Sequence, residues 1–302
     1  MRPADILLAL VVVVVWGMNF VVIKAGVSEV PPLLLGALRF IAAALPALFF
    51  VRPPRLPLSL YIKYGMTIAV GQFACLFTAI HIGMPSGLAS LVLQSQAFFT
   101  LIFAAVFLKE SWRPSQLFGL VLAAAGLVLI GTTHGVSMPL GGFLLTVAGA
   151  ASWAVGNIVN RGLARHGPVN VLGFVVWASL VPPLPFLALS WAIEGPEAMG
   201  AALSHFSLAS LGAVLYLAWG ATLLGYGLWS RLMSRYPANV VSPFPLLVPL
   251  VGLTAGWAIY GEQLVAAHFI GGALLMLGLM VNLFGPRLMA WRKPGGGAIP
   301  GK

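Results

Sequence analysis

Charged residues are scarce in this chain: they make up 7% of its 302 residues, and only six are acidic. A soluble globular protein carries about 25% charged residues, so this chain has too few to cover a surface that faces water. Hydrophobic residues make up 60% of the sequence, and the mean hydropathy is +1.02. The composition therefore predicts an integral membrane protein. It excludes a soluble enzyme, a nucleic-acid-binding module and a secreted disulfide scaffold.

The sequence also lacks the residues that several enzyme classes require. Cys75 is the single cysteine, which excludes an internal disulfide and a cysteine-based metal site. Asp5 is the single aspartate, whereas an intramembrane aspartyl protease needs two, and Gly83-Met-Pro-Ser86-Gly87 has the wrong spacing for a serine type. The sequence has neither an HExxH metal helix nor a Gly-x4-Gly-Lys-Ser/Thr nucleotide loop. We therefore expect no enzyme activity, no metal and no cofactor.

Long apolar runs separated by proline or glycine dominate the sequence instead. A transmembrane helix needs about 20 apolar residues, and such runs recur along the whole chain. The longest connection, near Glu194–Ser207, is predicted to hold a short surface helix. Ten transmembrane helices are predicted, at Asp5–Lys24, Pro32–Val51, Tyr64–Ile82, Ser86–Leu108, Ser115–Gly131, Leu140–Asn160, Val169–Trp191, Leu208–Arg231, Ala238–Tyr260 and Ala267–Gly285.

The basic residues predict how these helices are oriented. The net charge is +10, and if the N-terminus lies inside, all Lys and Arg except Lys24 and Arg39 fall in cytoplasmic segments. Cytoplasmic loops of membrane proteins carry such an excess of Lys and Arg. We therefore expect a multi-pass inner-membrane protein with both termini in the cytoplasm. Its expected partners are membrane lipid and a small-molecule substrate, not nucleic acid, and its oligomeric state stays open.

The sequence contains an internal repeat. Trp16 precedes Lys24 by eight residues, and Trp153 precedes Arg161 by the same spacing. A second set of matches pairs residues 152 positions apart: Tyr64 with Tyr216, Pro85 with Pro237, Glu110 with Glu262, Gly119 with Gly271 and Gly126 with Gly278.

The repeat predicts two five-helix units, at residues 1–135 and 136–290, followed by a disordered cytoplasmic tail at residues 291–302. Because five is odd, the second unit enters the membrane from the opposite side. The predicted fold class is thus all-α integral membrane, with ten transmembrane helices as two inverted five-helix repeats around a central cavity. Inverted repeats of this kind are typical of transporters that work by alternating access. A duplicated scaffold without transport remains the alternative.

Several short segments carry a resemblance to a known family. They are Trp16-Gly-Met-Asn19-Phe20, Leu38-Arg39-Phe40, Ser90–Thr100, Ser152–Ile158 and Pro249–Leu253. In this order they resemble EamA-type transporters of the drug/metabolite transporter superfamily. The detail is most similar to bacterial exporters of O-acetylserine and cysteine, and aromatic amino acid exporters are relatives. The resemblance implies ten helices, cytoplasmic termini and efflux of small amino-acid-like metabolites. Exporters of another metabolite or drug class, an intramembrane enzyme and a structural membrane protein remain alternatives.

Polar residues inside the predicted helices are the candidates for substrate binding, because a buried polar group without a partner is costly. Trp16 and Asn19 share one face of the first helix, and Trp153 and Asn157 share one face of the sixth. The repeat brings these two stripes into related positions, so we predict that both line the cavity. The alternative is that the asparagines bond neighbouring helices together.

Further candidates lie on the second, third, fourth and eighth helices. Gln94 and Gln96 belong to two stripes of the fourth helix, so at least one should face the cavity. The ninth helix has three prolines at the matching place, so the fourth helix is expected to be polar where the ninth is broken. Tyr216 and Trp219 are candidates from an aromatic group on the eighth helix that also contains Tyr226 and Trp229. Some members of the group are expected to contact substrate and others to lie at the membrane interface, and the sequence does not separate the two.

Arg39, Gln72 and His81 complete the candidate site. Arg39 either anchors a substrate carboxylate or donates hydrogen bonds to helix carbonyls, because no acidic partner is evident within the predicted helices. His81 either binds substrate or a proton near the outer mouth, or is an interfacial histidine. Glu110 and Glu262 are expected to cap helices or act at hinges. The simplest coupling is facilitated efflux down a gradient, and proton exchange through His81 is the second possibility.

Overall fold

The computed structural model describes residues 1–134, 138–163, 166–167 and 169–291, without the side chains of residues 238–239 and 286–291. Within this part of the chain the protein is all-helical, and its β-structure is a single bridge between His134 and Met138. The predicted tail at residues 291–302 lies outside the described residues from 292 onward.

Each predicted span overlaps a helix, and these helices are labelled α1 to α10. Eight are long and apolar enough to cross a membrane, whereas α2 and α9 are shorter apolar helices. The predicted surface helix in the longest connection is confirmed at Pro196–Ser204. The bounds are α1 Pro3–Glu29, α2 Pro32–Leu48, α3 Leu58–His81, α4 Ser86–Leu108, α5 Pro114–Gly131, α6 Leu140–Leu163, α7 Val171–Glu194, α8 Leu208–Arg235, α9 Phe244–Tyr260 and α10 Ala266–Trp291.

Within the described residues, five of the ten helices contain a stretch that departs from α-helical hydrogen bonding. One is a π-helical stretch at Ser190–Glu194 in α7, and the other four form two pairs. A π-helical stretch occupies Gly65–Gly71 in α3, and another occupies Tyr216–Leu224 in α8. A 3₁₀ turn occupies Leu93–Ser95 in α4, and another occupies Phe244–Leu247 in α9. Both pairs overlap at a spacing of 152 residues, which is the spacing of the sequence repeat. The expected contrast between a polar fourth helix and a broken ninth is thus incomplete, because both helices break at the same place.

The exterior of the helix bundle is apolar. Phe50 is 86% exposed and Leu208 is 87% exposed, and many other large hydrophobic side chains point outward. Water would penalise such a surface, whereas lipid tails solvate it. Inside, a continuous core includes Ile23, Phe77 and Phe186, which are fully buried. The composition of the chain is therefore explained by its solvent, since the surface needs few charges.

The helices α5 and α10 pack with their backbones almost in contact. A Cβ atom added to Gly119 would lie 2.7 Å from the carbonyl oxygen of Gly278, and one added to Gly271 would lie 2.7 Å from that of Gly126. Small residues permit this close approach between helices in a membrane. These four glycines are the ones that the sequence repeat pairs, Gly119 with Gly271 and Gly126 with Gly278. In space the pairing is crossed, since Gly119 approaches Gly278 and Gly126 approaches Gly271.

Candidate functional site

A cavity of about 390 Å³ lies in the middle of the bundle. This volume falls in the range of small-molecule binding sites, about 300–1,000 Å³. Residues from both halves of the chain form its wall, from α1 to α4 in the first half and from α6, α8 and α9 in the second. The cavity is therefore a shared space between the two halves rather than a pocket within one.

Most of the sequence-predicted site residues meet in this cavity. The first stripe and its repeat partner both reach it, and so do both glutamines of α4. The predicted residues that line the cavity are Trp16, Asn19, Arg39, Gln72, Gln94, Gln96, Trp153 and Asn157.

Three other predicted residues lie elsewhere. His81 is exposed in a groove beside Val27 and Glu194, and its Nδ1 lies 3.0 Å from the carbonyl oxygen of Val27. The hydroxyl of Tyr216 donates to the carbonyl oxygen of Val15 at 2.9 Å. Trp219 is 47% exposed, and its indole N–H donates to the carbonyl oxygen of Ala42 at 3.0 Å. All three side chains therefore make structural contacts outside the cavity.

Arg39 is buried, with 3% of its surface exposed. Its Nη2 donates to the hydroxyl of Thr222 at 3.2 Å, and its guanidinium lies 3.9 Å from the centre of the Phe73 ring. A guanidinium over an aromatic ring is a favourable cation–π contact. The Nε and Nη1 atoms have no hydrogen-bond partner among the described residues. Two of the three guanidinium nitrogens thus keep free donors.

Two neutral amides of the cavity wall also keep a free atom. Asn19 and Gln72 are buried, and Asn19 Oδ1 and Gln72 Oε1 have no hydrogen-bond partner in the described part of the protein. Buried polar atoms in folded proteins almost always have a partner, so such exceptions need an explanation. In a cavity, a ligand or ordered water supplies the missing partner.

The amides on α4 and α6 are bonded to neighbouring helices. Asn157 Nδ2 donates to Gln96 Oε1 at 2.7 Å and to Thr100 Oγ1 at 3.1 Å. Gln94 Nε2 donates to the carbonyl oxygen of Pro245 at 3.2 Å, at the 3₁₀ turn of α9. These side chains therefore hold helices together and line the cavity at the same time, so both sequence interpretations apply to Asn157.

Aromatic side chains form one wall of the cavity. The Trp16 ring centre lies 5.5 Å from that of Tyr226 and 5.5 Å from that of Trp229. The Trp16 indole N–H donates to the carbonyl oxygen of Ala221 at 3.0 Å. Such spacing is typical of favourable tilted aromatic pairs. A large apolar surface therefore lies beside the polar groups.

Polar contacts around Glu262 join several helices at the end of the bundle at which α1 ends, here called the distal face, and the cluster of Lys24, Ser86, Gly87 and Glu262 is here called the distal seal. Glu262, between α9 and α10, accepts hydrogen bonds from the backbone N–H groups of Ser86 and Gly87 at 2.7 and 2.9 Å. It also accepts from the Ser86 hydroxyl at 2.8 Å and pairs with Lys24 Nζ at 2.8 Å. Glu262 thus caps the start of α4 and ties it to α1 and α9.

Two opposing effects set the pKa of Glu262. Burial raises the pKa of this carboxyl, while the hydrogen bonds from Lys24, Gly87 and Ser86 lower it by more, so the net pKa lies below its usual value. The carboxylate is therefore ionised at neutral pH, which its four hydrogen bonds require.

The opposite end of the bundle, where α1 begins, is here called the N-terminal face. The cavity wall extends toward it through Asn160, Trp229 and Ser242. Here Arg161 Nη1 pairs with Glu110 Oε1 at 2.6 Å, but both side chains are about half exposed. The sequence repeat matches this pair with Lys24 and Glu262. In the distal pair the carboxylate is buried and Lys24 is 32% exposed, whereas both members of the counterpart pair are about half exposed.

Comparisons with known proteins agree with this architecture. The EamA-like transporter family matches residues 4–132 and again residues 140–284. The chain belongs to the EamA-like transporter family. A probable amino-acid metabolite efflux pump of Salmonella typhimurium is 48% identical over 95% of this chain and 97% of its own length. A protein of the same description from Escherichia coli K12 is 46% identical over 97% of this chain and 98% of its own length.

A crystal structure shares the fold of this EamA-like transporter. Its TM-score is 0.62 and its sequence identity is 23%, over 95% of this chain and 99% of the other. Membership in the family confirms the sequence prediction of a multi-pass membrane transporter rather than an enzyme. Among the described residues of this family member, no group of three His, Cys, Asp or Glu residues could hold a metal ion.

Some aromatic residues of the cavity wall were not among the predicted site residues of this EamA-like transporter. Tyr64, Phe73, Tyr226 and Trp229 all line the cavity. On α8 the predicted Tyr216 and Trp219 lie outside the wall, whereas Tyr226 and Trp229 of the same aromatic group belong to it. On α3 a signal was present, because Tyr64 precedes the selected Gln72 by eight residues and therefore lies near the same helix face.

Proposed function

We propose that this chain exports small amino-acid metabolites from the cytoplasm by alternating access through the central cavity. The observation that carries the proposal is the polar and aromatic cavity between the two halves of the chain. The names of the two relatives support an amino-acid metabolite as the substrate class. The eight sequence-predicted residues in the cavity wall are proposed to contact the substrate.

The proposal includes ten membrane-spanning helices arranged as two inverted repeats, residues 1–135 and 136–290. The family matches the chain once in each of these regions. The π-helical stretches of α3 and α8 and the 3₁₀ turns of α4 and α9 recur at the repeat spacing. Lys109 and Gly261, also 152 residues apart, both adopt left-handed backbone conformations at the ends of α4 and α9. Such matched irregularities support a duplicated structural unit.

In the proposed orientation the protein lies in the inner membrane with both termini on the cytoplasmic side. The excess of Lys and Arg in the segments at the N-terminal face supports this orientation. The cavity then opens to the cytoplasm in this state, and the distal seal closes it to the outside. An exporter must load its substrate from the cytoplasm, so this is the state that binds substrate.

Counterflow in proteoliposomes of the full chain tests the proposal. Vesicles are loaded with an unlabelled amino acid, and uptake of the labelled form is followed for cysteine, O-acetylserine, threonine, methionine and phenylalanine in turn. Uptake above that of empty vesicles establishes a carrier and ranks its substrates. Absence of uptake for all five, with folded protein, contradicts the proposed substrate class and favours another metabolite or drug class.

A further inference from the structure

We infer that the cavity selects substrates by their carboxylate, which Arg39 binds, and that it discriminates against amines without one. The inference rests on the proposed function and adds the charge pattern of the ligand. Of the two roles that the sequence allows for Arg39, it assigns the carboxylate anchor rather than the donor to helix carbonyls.

The charge of the cavity wall favours an anionic group on the ligand. Among the lining residues that the structure describes, Arg39 alone carries a formal charge, and the acidic residues of α1–α10 lie outside the wall. Opposite charges attract more strongly in a low-dielectric space than in water. A carboxylate is therefore favoured beside Arg39, whereas a cationic ligand meets a like charge with no compensating anion.

The guanidinium of Arg39 has N–H donors that no protein atom uses among the described residues. A guanidinium carries five N–H donors, and buried donors normally have hydrogen-bond partners. Arg39 makes one hydrogen bond, to the Thr222 hydroxyl, and its Nε and Nη1 have no partner within the described residues. The ring of Phe73 lies over one face of the guanidinium at 3.9 Å, so the unpaired Nε and Nη1 donors lie on its edge, buried in the cavity wall. The edge is where a carboxylate binds.

Two amide oxygens of the cavity wall can accept hydrogen bonds from the ammonium group of an amino acid. Asn19 Oδ1 and Gln72 Oε1 line the same cavity and have no partner among the described residues. Neutral amide oxygens accept hydrogen bonds from an ammonium without neutralising its charge. Free donors on one cation and free acceptors on two amides fit the two ends of a zwitterionic amino acid. Because only the carboxylate meets a full opposite charge, its loss should weaken binding most.

Competition in the counterflow assay tests the inference on the unmodified protein. The labelled amino acid that gives the largest counterflow competes with three unlabelled ligands: the same amino acid, its carboxamide and its N-acetyl derivative. The carboxamide lacks the carboxylate and should compete about tenfold less well, or worse. The N-acetyl derivative keeps the carboxylate and should compete better than the carboxamide. Equal competition by the free acid and its carboxamide overturns the inference.

Two matched variants separate ligand binding from structural support. In Arg39→Gln the preference for the acid over the carboxamide should disappear, because the acid loses affinity while the carboxamide does not. Thr222→Val removes the hydroxyl that accepts a hydrogen bond from Arg39 but keeps the guanidinium, so the preference for the acid over the carboxamide should persist. Equal weakening of both ligands in Arg39→Gln contradicts a carboxylate anchor and indicates a structural role.

The outcomes distinguish the inference from the proposed function. If folded wild-type protein shows no counterflow of any amino acid, the proposed function fails and the anchor fails with it. If counterflow occurs but carboxamide and acid compete equally, the proposed function stands and the anchor alone fails. If Arg39→Gln does not fold, the competition series on the wild-type protein still gives the decision.

Discussion

At the scale of single residues, the polar groups of the cavity have two different duties. Arg39, Asn19 and Gln72 keep free hydrogen-bonding atoms, whereas Asn157 is bonded to both Gln96 and Thr100. A side chain with free atoms costs stability and gains it back only with a ligand. A side chain with satisfied atoms supports the helices in every state. Substitutions should therefore divide into those that affect affinity and those that also affect folding.

Replacing Asn157 with Leu should reduce both transport and stability. The change removes two interhelical hydrogen bonds and leaves Gln96 Oε1 without its donor, at a cost of about 1–2 kcal/mol. Thermal unfolding in detergent and counterflow measure the two effects. Gln94→Leu is the comparison, because it removes one longer bond to Pro245 and should lower transport with less loss of stability. Full transport in both variants would remove these residues from the site.

Replacing His81 with Gln should leave transport and its pH dependence unchanged. His81 is exposed in the distal groove, its ring contacts the carbonyl oxygen of Val27, and it does not reach the described cavity wall. The measurement is counterflow with and without an imposed pH gradient. A pH response that is present in the wild type and absent in His81→Gln would restore proton exchange through this histidine.

At the scale of helices, the two faces of the bundle are held by matched but unequal ion pairs. Lys24 and Glu262 form part of a buried seal with four hydrogen bonds to the carboxylate, whereas Arg161 and Glu110 are half exposed. Hydrogen bonds to a charged group each contribute about 1.5–3 kcal/mol. In the proposed alternating-access cycle, the distal seal therefore favours the state that opens to the N-terminal face.

Replacing Glu262 with Ala should shift the protein toward opening at the distal face. Each 1.4 kcal/mol of lost stabilisation changes the ratio of the two states about tenfold. The reporter is Ser90→Cys in the cavity wall, in a Cys75→Ala background, labelled by a membrane-impermeant thiol reagent added at the distal side. Labelling should accelerate in Glu262→Ala. Glu110→Ala, the repeat counterpart, is the control and should not accelerate it; equal rates in all proteins would refute the seal.

The same labelling assay tests the charge of the seal. The pKa of Glu262 is lowered in the closed state, so its stabilisation is complete above the ordinary glutamate range and is lost as the pH falls through the lowered pKa. Lys24 and Tyr260 are the other charged or titratable side chains in contact with this cluster. Distal accessibility should therefore be constant between about pH 8 and 6. An increase within that interval would contradict an ionised Glu262.

The pair of helices α5 and α10 offers a test of packing. Gly126→Ala should destabilise the protein by about 1–3 kcal/mol, because the added methyl group meets the backbone of α10, which cannot rotate away. Gly212→Ala is the control, since no heavy atom lies within 4 Å of its added Cβ, and it should be neutral or slightly stabilising. Thermal unfolding of the two variants provides the measurement. Equal stability would contradict a close contact at Gly126.

At the scale of the whole molecule, the sequence predicts the helices well because lipid imposes a simple length requirement. The prediction for α4 agrees at both ends, and that for α3 begins six residues late, since its first turn contains polar residues. Asn19 and Asn157 were found because a polar residue in a transmembrane helix is rare and informative.

Features that depend on contacts between helices were not predictable in the same way. Nothing in the order of residues shows that Glu262 caps α4, which begins 176 residues earlier. On α8 the sequence shows a group of aromatic residues but not which of them face the cavity, because that depends on how the helix packs against its neighbours. The seal and the cavity wall thus emerge only when the two halves are packed against each other.

The single fixed charge of Arg39 has a consequence for the response of transport to voltage. The empty carrier and the carrier with a zwitterion have the same net charge in the cavity, so the membrane potential acts equally on the outward and return steps. Moving an uncompensated charge would cost about 2.3 kcal/mol per 100 mV. Export of a zwitterion therefore transfers no net charge, and the negative interior of the cell neither drives nor opposes it. For the proposed facilitated efflux, without proton exchange, the concentration gradient alone would then set how much metabolite leaves the cell.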